Sequence, residues 1–160
     1  MSAVLLTVFV DKSSGYINPT GTYTYVGKTE IVDGESYGYT GEIQVKTLAK
    51  KKIAMTFHVN KGAPSYNSGS FVDTLSYLNN KATWRDPAED STCKITFYFT
   101  KTGVTVIEET ADFNSGCGFG HAVVAKGFFK KTSSETPVLV DPINGDELES
   151  NTIVRSFIIH

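Results

Sequence analysis

The chain is poor in the side chains that most often carry chemistry. Histidine occurs three times, at His58, His121 and His160, and arginine twice, at Arg85 and Arg155. Cysteine also occurs twice, at Cys93 and Cys117, and tryptophan once, at Trp84. No Cys-x-x-Cys pair and no His-Glu-x-x-His run is present, which removes the common zinc and thiol-redox patterns. The letters Gly34-Glu35-Ser36-Tyr37-Gly38 fit Gly-x-Ser-x-Gly, but they follow the Asp33-Gly34 hairpin turn inside a β-forming stretch and not the strand-to-helix turn that a serine-hydrolase elbow needs. Two arginines are few for planar, bidentate reading of phosphates, and a formal net charge of −2 creates no overall pull toward nucleic acid or acidic lipid. Long apolar runs are missing as well. Residues 1–10 are apolar, but they lack a basic start and a small-residue cleavage site, and Asp11 follows at once. They are neither a complete signal peptide nor long enough to span a bilayer, so no transmembrane segment is read.

What is present is β-forming. Tyr and Phe, eight and ten residues, outnumber the single Trp, and windows rich in Ala, Leu, Glu and Arg are absent. Aromatic and β-branched residues suit a pleated, half-buried surface. Alternation of apolar and polar residues predicts strands over 3–10, 22–26, 41–48, 53–59, 70–77, 82–85, 93–100, 104–108 and 122–130. A further pair is predicted over 137–140 and 153–159. Asp33-Gly34, Lys50-Lys51, Asn79-Asn80 and Lys101-Thr102-Gly103 read as the turns of hairpins. On the strand at 53–59, Ile53, Met55, Phe57 and Val59 face inward, and Ala54, Thr56 and His58 face out. At 160 residues the chain fits one domain, residues 1–160, in which 132–160 form a C-terminal hairpin extension. Roughly eight to ten short strands, each apolar on one side, must close on themselves or stack as two sheets to hide that side. Closure also removes sticky edges, so an all-β antiparallel meander closed into a barrel is favoured over a β-sandwich.

Cys93 shares an inward face with Ile95, Phe97 and Phe99, while Cys117 sits in the cluster Gly116-Cys117-Gly118-Phe119-Gly120-His121. A disulfide between them is favoured over two free thiols, and both over a metal held by Cys93, Cys117 and His121. A bond would point to an oxidising compartment. The glycines lack the flanking strand and helix of a dinucleotide fingerprint, and they read as freedom for a sharp turn beside a bulky core. No cofactor is implied. Ligand-binding candidates are Phe119 and His121 in that cluster, Tyr66 and Asn67 in the polar loop 62–69, and Trp84 with Arg85. Glu108 and Glu109 point to opposite faces of a strand, so they read as a solvated strand end and not as a catalytic pair. Asp141 to Glu147 reads as a plain turn, because Pro142 and Ile143 break a calcium-loop pattern. The lysines at 46 and 50–52 read as a solvated turn and not as a nucleic-acid patch.

The run Cys93-Lys94-Ile95-Thr96-Phe97-Tyr98-Phe99, then Cys117-Gly118-Phe119-Gly120, then Gly127-Phe128-Phe129-Lys130-Lys131, resembles small exported bacterial domains. Many of these are calycin-like, lipocalin-like barrels, and some related ones inhibit lysozyme. The resemblance covers about residues 91–131 and carries over no functional residue. It implies a calycin-like barrel and a cell-envelope location: periplasmic, lipid-anchored or secreted after removal of a leader that this sequence does not contain. The expectation is a non-enzymatic binding module that takes a protein, a glycan or a small apolar ligand at one barrel end, near the Cys117 loop or the loop 62–69. Two other readings compete with it. One is a glycan-active enzyme at the barrel mouth, with opposed titratable groups near His121 or Asp112. The other is a structural or adhesive subunit that pairs through residues 3–10.

Overall fold

A computed structural model describes residues 15–49, 51–86, 91–149, 153 and 156–158. The strand expected at 3–10 lies outside them. The strands are β1 (Gly21–Tyr25), β2 (Glu30–Val32), β3 (Glu35–Leu48), β4 (Lys52–Gly62), β5 (Ser68–Ser76), β6 (Lys81–Trp84), β7 (Lys94–Phe99), β8 (Gly103–Glu109), β9 (Gly127–Ser133) and β10 (Ser156–Ile158). Eight of them run as an antiparallel meander in the order β5-β4-β3-β1-β9-β8-β7-β6. The meander closes where β1 pairs with β9, so the barrel is nearly complete. The remaining seam lies between β5 and β6, which among the described residues share only the Leu78–Lys81 bridge of their hairpin. β2 adds to β3 alone, and its Ile31 and Val32 stand exposed.

Strand alternation gives the barrel two unlike ends. The tight turns after β3, β5 and β7 lie at one, here the hairpin end. The longer connections after β4, β6 and β8 lie at the other, the loop end.

Period-two patterning fills the lumen as expected. Ile53, Met55, Phe57 and Val59 of β4 are buried, as are Cys93, Ile95, Phe97 and Phe99 in and beside β7. The centre is a set of rings. Trp84 stacks on Phe71 at 4.4 Å, and Phe57 lies parallel to Phe71 at 5.2 Å and edge-on to Phe97 at 5.7 Å. Such pairs contribute about 0.5–1.5 kcal/mol each beyond the area they bury.

Several elements differ from the alternation pattern, each for a physical reason. The last barrel strand starts at Gly127, not at 122. Val123 and Ala125 drop into the core from irregular backbone, with Ala122 at φ 55°. Among the described residues the expected pairing of 137–140 with 153–159 does not form. Val140 bridges Glu147, and β10 joins β5 along the edge that the seam leaves available. Ala54 and Thr56, expected to face water, are buried. The tail after β9 crosses β1 to lie over the outside of β3, where the Val140 N–H donates to Gln44 Oε1 at 3.1 Å. Glu108 is also buried, on the inward row of Val104 and Val106, whereas Glu109 pairs with Lys94 at the surface.

Candidate functional site

The loop end is closed by the segment 110–126. Cys93 and Cys117 form a disulfide with Cα atoms 5.0 Å apart, and both residues are fully buried. Their sulfurs are thereby removed from any metal. Among the described residues no three His, Cys, Asp or Glu side chains converge as metal ligands. Cys117 itself has φ 59° and Gly118 φ 62°, so the glycine beside it continues a left-handed turn that costs it little. This turn aims Phe119 into the lumen, where it lies parallel to Trp84 at 6.2 Å and to Phe57 at 6.3 Å. Gly69 of β5 lies directly under that ring, and a Cβ there would overlap it. Four polar contacts hold the plug from different strands. The Gly120 N–H donates to Ser68 O at 2.9 Å, and the Ala125 N–H donates to Glu108 Oε2 at 2.5 Å. Tyr39 donates its hydroxyl to Ala122 O at 3.1 Å and accepts from the Val124 N–H at 3.2 Å.

The candidates from the sequence thus separate into two groups. Trp84 and Phe119 meet each other inside the core, facing no solvent. Asn67 and His121 meet at the surface, where Asn67 Nδ2 donates to His121 O at 3.1 Å and Lys61 Nζ reaches the same oxygen at 3.4 Å. Tyr66 is exposed in the same loop, and its carbonyl accepts from Asn60 Nδ2. Arg85 is exposed but lies on the seam, lining a cleft with Asp73 and Thr83. Asp112 lies close enough to His121 to feel its charge. Its carboxyl is held below the ordinary carboxylate value chiefly by the Asn114 N–H, then by the Ser115 hydroxyl, with His121 a smaller influence. These contacts tie down its own loop. Tyr23 and Tyr77, whose phenols burial pushes up, and Lys131, whose ammonium burial pushes down, belong to the opposite end.

That hairpin end carries a cleft of about 360 Å³ that the alternation pattern does not reveal. Its floor is built around Asn80. The Asn80 Oδ1 accepts the Ile17 N–H at 2.9 Å, its Nδ2 donates to Gly15 O at 3.0 Å, and its own carbonyl accepts the Phe99 N–H. Tyr77 donates to Ile17 O at 2.7 Å and packs edge-on to Phe99. Burial, then the neighbouring Tyr16, pushes the Tyr77 phenol up to about 12. Tyr16 stands over this floor, 71% exposed and edge-on to Tyr77 at 6.0 Å. The walls are the β3–β4 turn, with Lys51 and Lys52, and the β5–β6 turn, with Leu78 and Asn79. Asn79 and Asn80 both adopt left-handed backbone, φ 52° and 58°. That conformation was legible in the Asn-Asn pair, but the strap at 15–17 that completes the cleft was not, because it is a contact across more than 60 residues.

No family model, curated protein or solved structure matches this chain. The chemistry must be read from the geometry. Among the described residues no helix is long and apolar enough to cross a membrane.

Proposed function

We propose that this protein is a non-enzymatic binding module of the bacterial cell envelope that grips its ligand at the hairpin end of the barrel, not within it. One observation carries the reading. The lumen is occupied by the chain's own rings, and the plug that closes it is held by a disulfide and by bonds from several strands. A lipocalin-like carrier of a small apolar ligand needs that space empty. The hairpin-end cleft has the size of a small-ligand site, roughly 300–1,000 Å³, and combines aromatic faces with a few polar groups. The buried disulfide supports an oxidising compartment, as does the calycin-like resemblance at residues 91–131.

Native mass spectrometry of the protein isolated from its own cells tests this directly. The expected result is a chain recovered from the envelope fraction, lighter by two hydrogens than the reduced sequence, with a ligand or partner attached. Recovery from the cytoplasm with both thiols free overturns the location. Chemical conversion of an attached ligand by the pure protein overturns the non-enzymatic assignment.

A further inference from the structure

The two ends of the barrel differ in charge as well as in shape. Around the hairpin end stand Lys51 and Lys52 in the β3–β4 turn, Lys81 opening β6, Lys101 in the β7–β8 turn, and Lys130 and Lys131 on β9. Lys51, Lys52, Lys81, Lys101 and Lys130 are exposed. Lys131 is half-buried over the Tyr23 ring, 5.5 Å from its centroid. Glu135 lies just beyond β9, and the carboxylates of 141–149 lie further along β3, beside Gln44 and Lys46. The loop end mixes signs, with Glu30, Asp33, Glu35, Asp86, Glu108, Glu109 and Asp112 set against Lys28, Lys61, Arg85, Lys94 and Lys126. A net charge of −2 therefore hides an axial separation with a lysine collar at one end. Lys51 and Lys52 line the cleft itself, while Lys101, Lys130 and Lys131 line a second, more open depression at the same end; together they concentrate anions over that end of the barrel.

Resting on the proposal that the hairpin end is the binding end, we infer that its ligand is an anionic glycan. The sugar rings lie against Tyr16 in the cleft, and the carboxylates or phosphates of the chain meet Lys51, Lys52 and the rest of the collar. Tyr16 offers a large exposed face at the rim, and Asn79 supplies an exposed amide beside it. That combination of aromatic face, amide and ammonium is what a charged sugar needs. A membrane surface fits less well. The exposed apolar side chains lining the cleft are Tyr16 and Leu78, too few to enter a bilayer as a face. Duplex DNA fits less well because the cations are separate lysines spread over one end of the barrel, without arginine forks along a groove-sized ridge.

The test is binding of the full chain to polygalacturonate and to a phosphomannan, which separate carboxylate from phosphate as the source of charge. Neutral dextran, duplex DNA and phosphatidylglycerol vesicles are the comparison arms. Expected is binding to at least one anionic glycan that weakens steeply between about 50 and 300 mM salt, as released counterions require. Lys51→Glu with Lys52→Glu lowers affinity about tenfold or more, and Tyr16→Ala lowers it about fivefold at unchanged melting temperature. Lys28→Glu with Lys126→Glu, at the loop end, leaves it unchanged. Equal binding of dextran, equal loss in the loop-end variant, preference for DNA or vesicles, or no binding to either anionic glycan overturns the inference. If both anionic glycans fail while the isolated protein carries a neutral ligand or a protein partner, the anionic assignment falls and the binding-module reading stands. If an anionic glycan binds and is cleaved, the ligand class stands and the non-enzymatic reading falls.

Discussion

Removing the Cys93–Cys117 bond tests the central claim about the loop end. The bond closes a loop with a sequence separation of 24 residues. In the chain-entropy model a loop of about 25 residues restricts the unfolded chain by roughly 12 cal/mol/K, or about 3.5 kcal/mol at room temperature. The unfolding entropy of a 160-residue chain is roughly 0.34 kcal/mol/K, so Cys93→Ala with Cys117→Ala should lower the melting temperature by about 10 °C. Both residues are fully buried, so the lost sulfurs add a small packing term of the same sign. Urea denaturation of the oxidised protein and of the double variant measures the difference. A second readout separates the two ways the bond can act. If it only restricts the unfolded chain, exchange accelerates only at amides that open by global unfolding, and amides that open locally are unchanged. If it also holds the plug, exchange should accelerate at the Gly120 and Ala125 N–H groups, which bond to Ser68 O and Glu108 Oε2. A stability loss below about 1 kcal/mol refutes the entropic account. Unchanged exchange at those two amides refutes the assignment of the bond as the fastener of the plug.

Other consequences follow from the same packing. Gly69→Ala should displace the Phe119 ring and cost about 1–3 kcal/mol, whereas Gly69→Ala in a Phe119→Ala background should cost much less, a coupling that a double-mutant cycle in urea would detect. Trp84→Ala removes the ring stacked on Phe71 and Phe119 and should lose about 3–5 kcal/mol by the same assay. The Tyr77 phenol, raised from 10.0 to about 12, contributes stability that is fully present below pH 10.0 and falls as pH rises toward about 12. Tyr77→Phe should flatten the fall in urea midpoint over that window, and an unaltered slope would sink the assignment. Asp112 behaves oppositely. Its lowered carboxyl contributes stability present above the ordinary value of 3.8 and lost as pH falls below it, so Asp112→Asn should weaken the acid dependence of amide protection at Asn114.

Much of the fold was legible because a barrel wall is written locally. In a strand whose one side meets the core, every second residue must be apolar, and the runs at Ile53 to Val59 and Cys93 to Phe99 obey this without help from distant contacts. Turns are equally local: the Asp33-Gly34 and Lys101-Thr102-Gly103 hairpins form where their residues favour reversal. The inward direction of Cys93 followed from the same alternation, and its bond to Cys117 was the favoured reading.

The site was less legible, because it depends on which ends of the strands meet. Residue type presented Trp84 and Phe119 as candidates for a ligand, but closure of the sheet brings them together as core. Asn80 looked like a turn residue, yet it anchors Gly15 and Ile17 from the far end of the chain. Glu108 looked solvated because strand ends usually are, but the returning segment at Ala125 packs over it and bonds its carboxylate. The lysines are scattered through the sequence and gather at one mouth because antiparallel strands bring alternate turns to the same side. Alternation and turn chemistry are properties of neighbours along the chain, so the sequence by itself determined the strands, their inward faces and the all-β class. Occupancy of the lumen, the cleft at the hairpin end and the separation of charge are properties of neighbours in space, and closure of the barrel decided those.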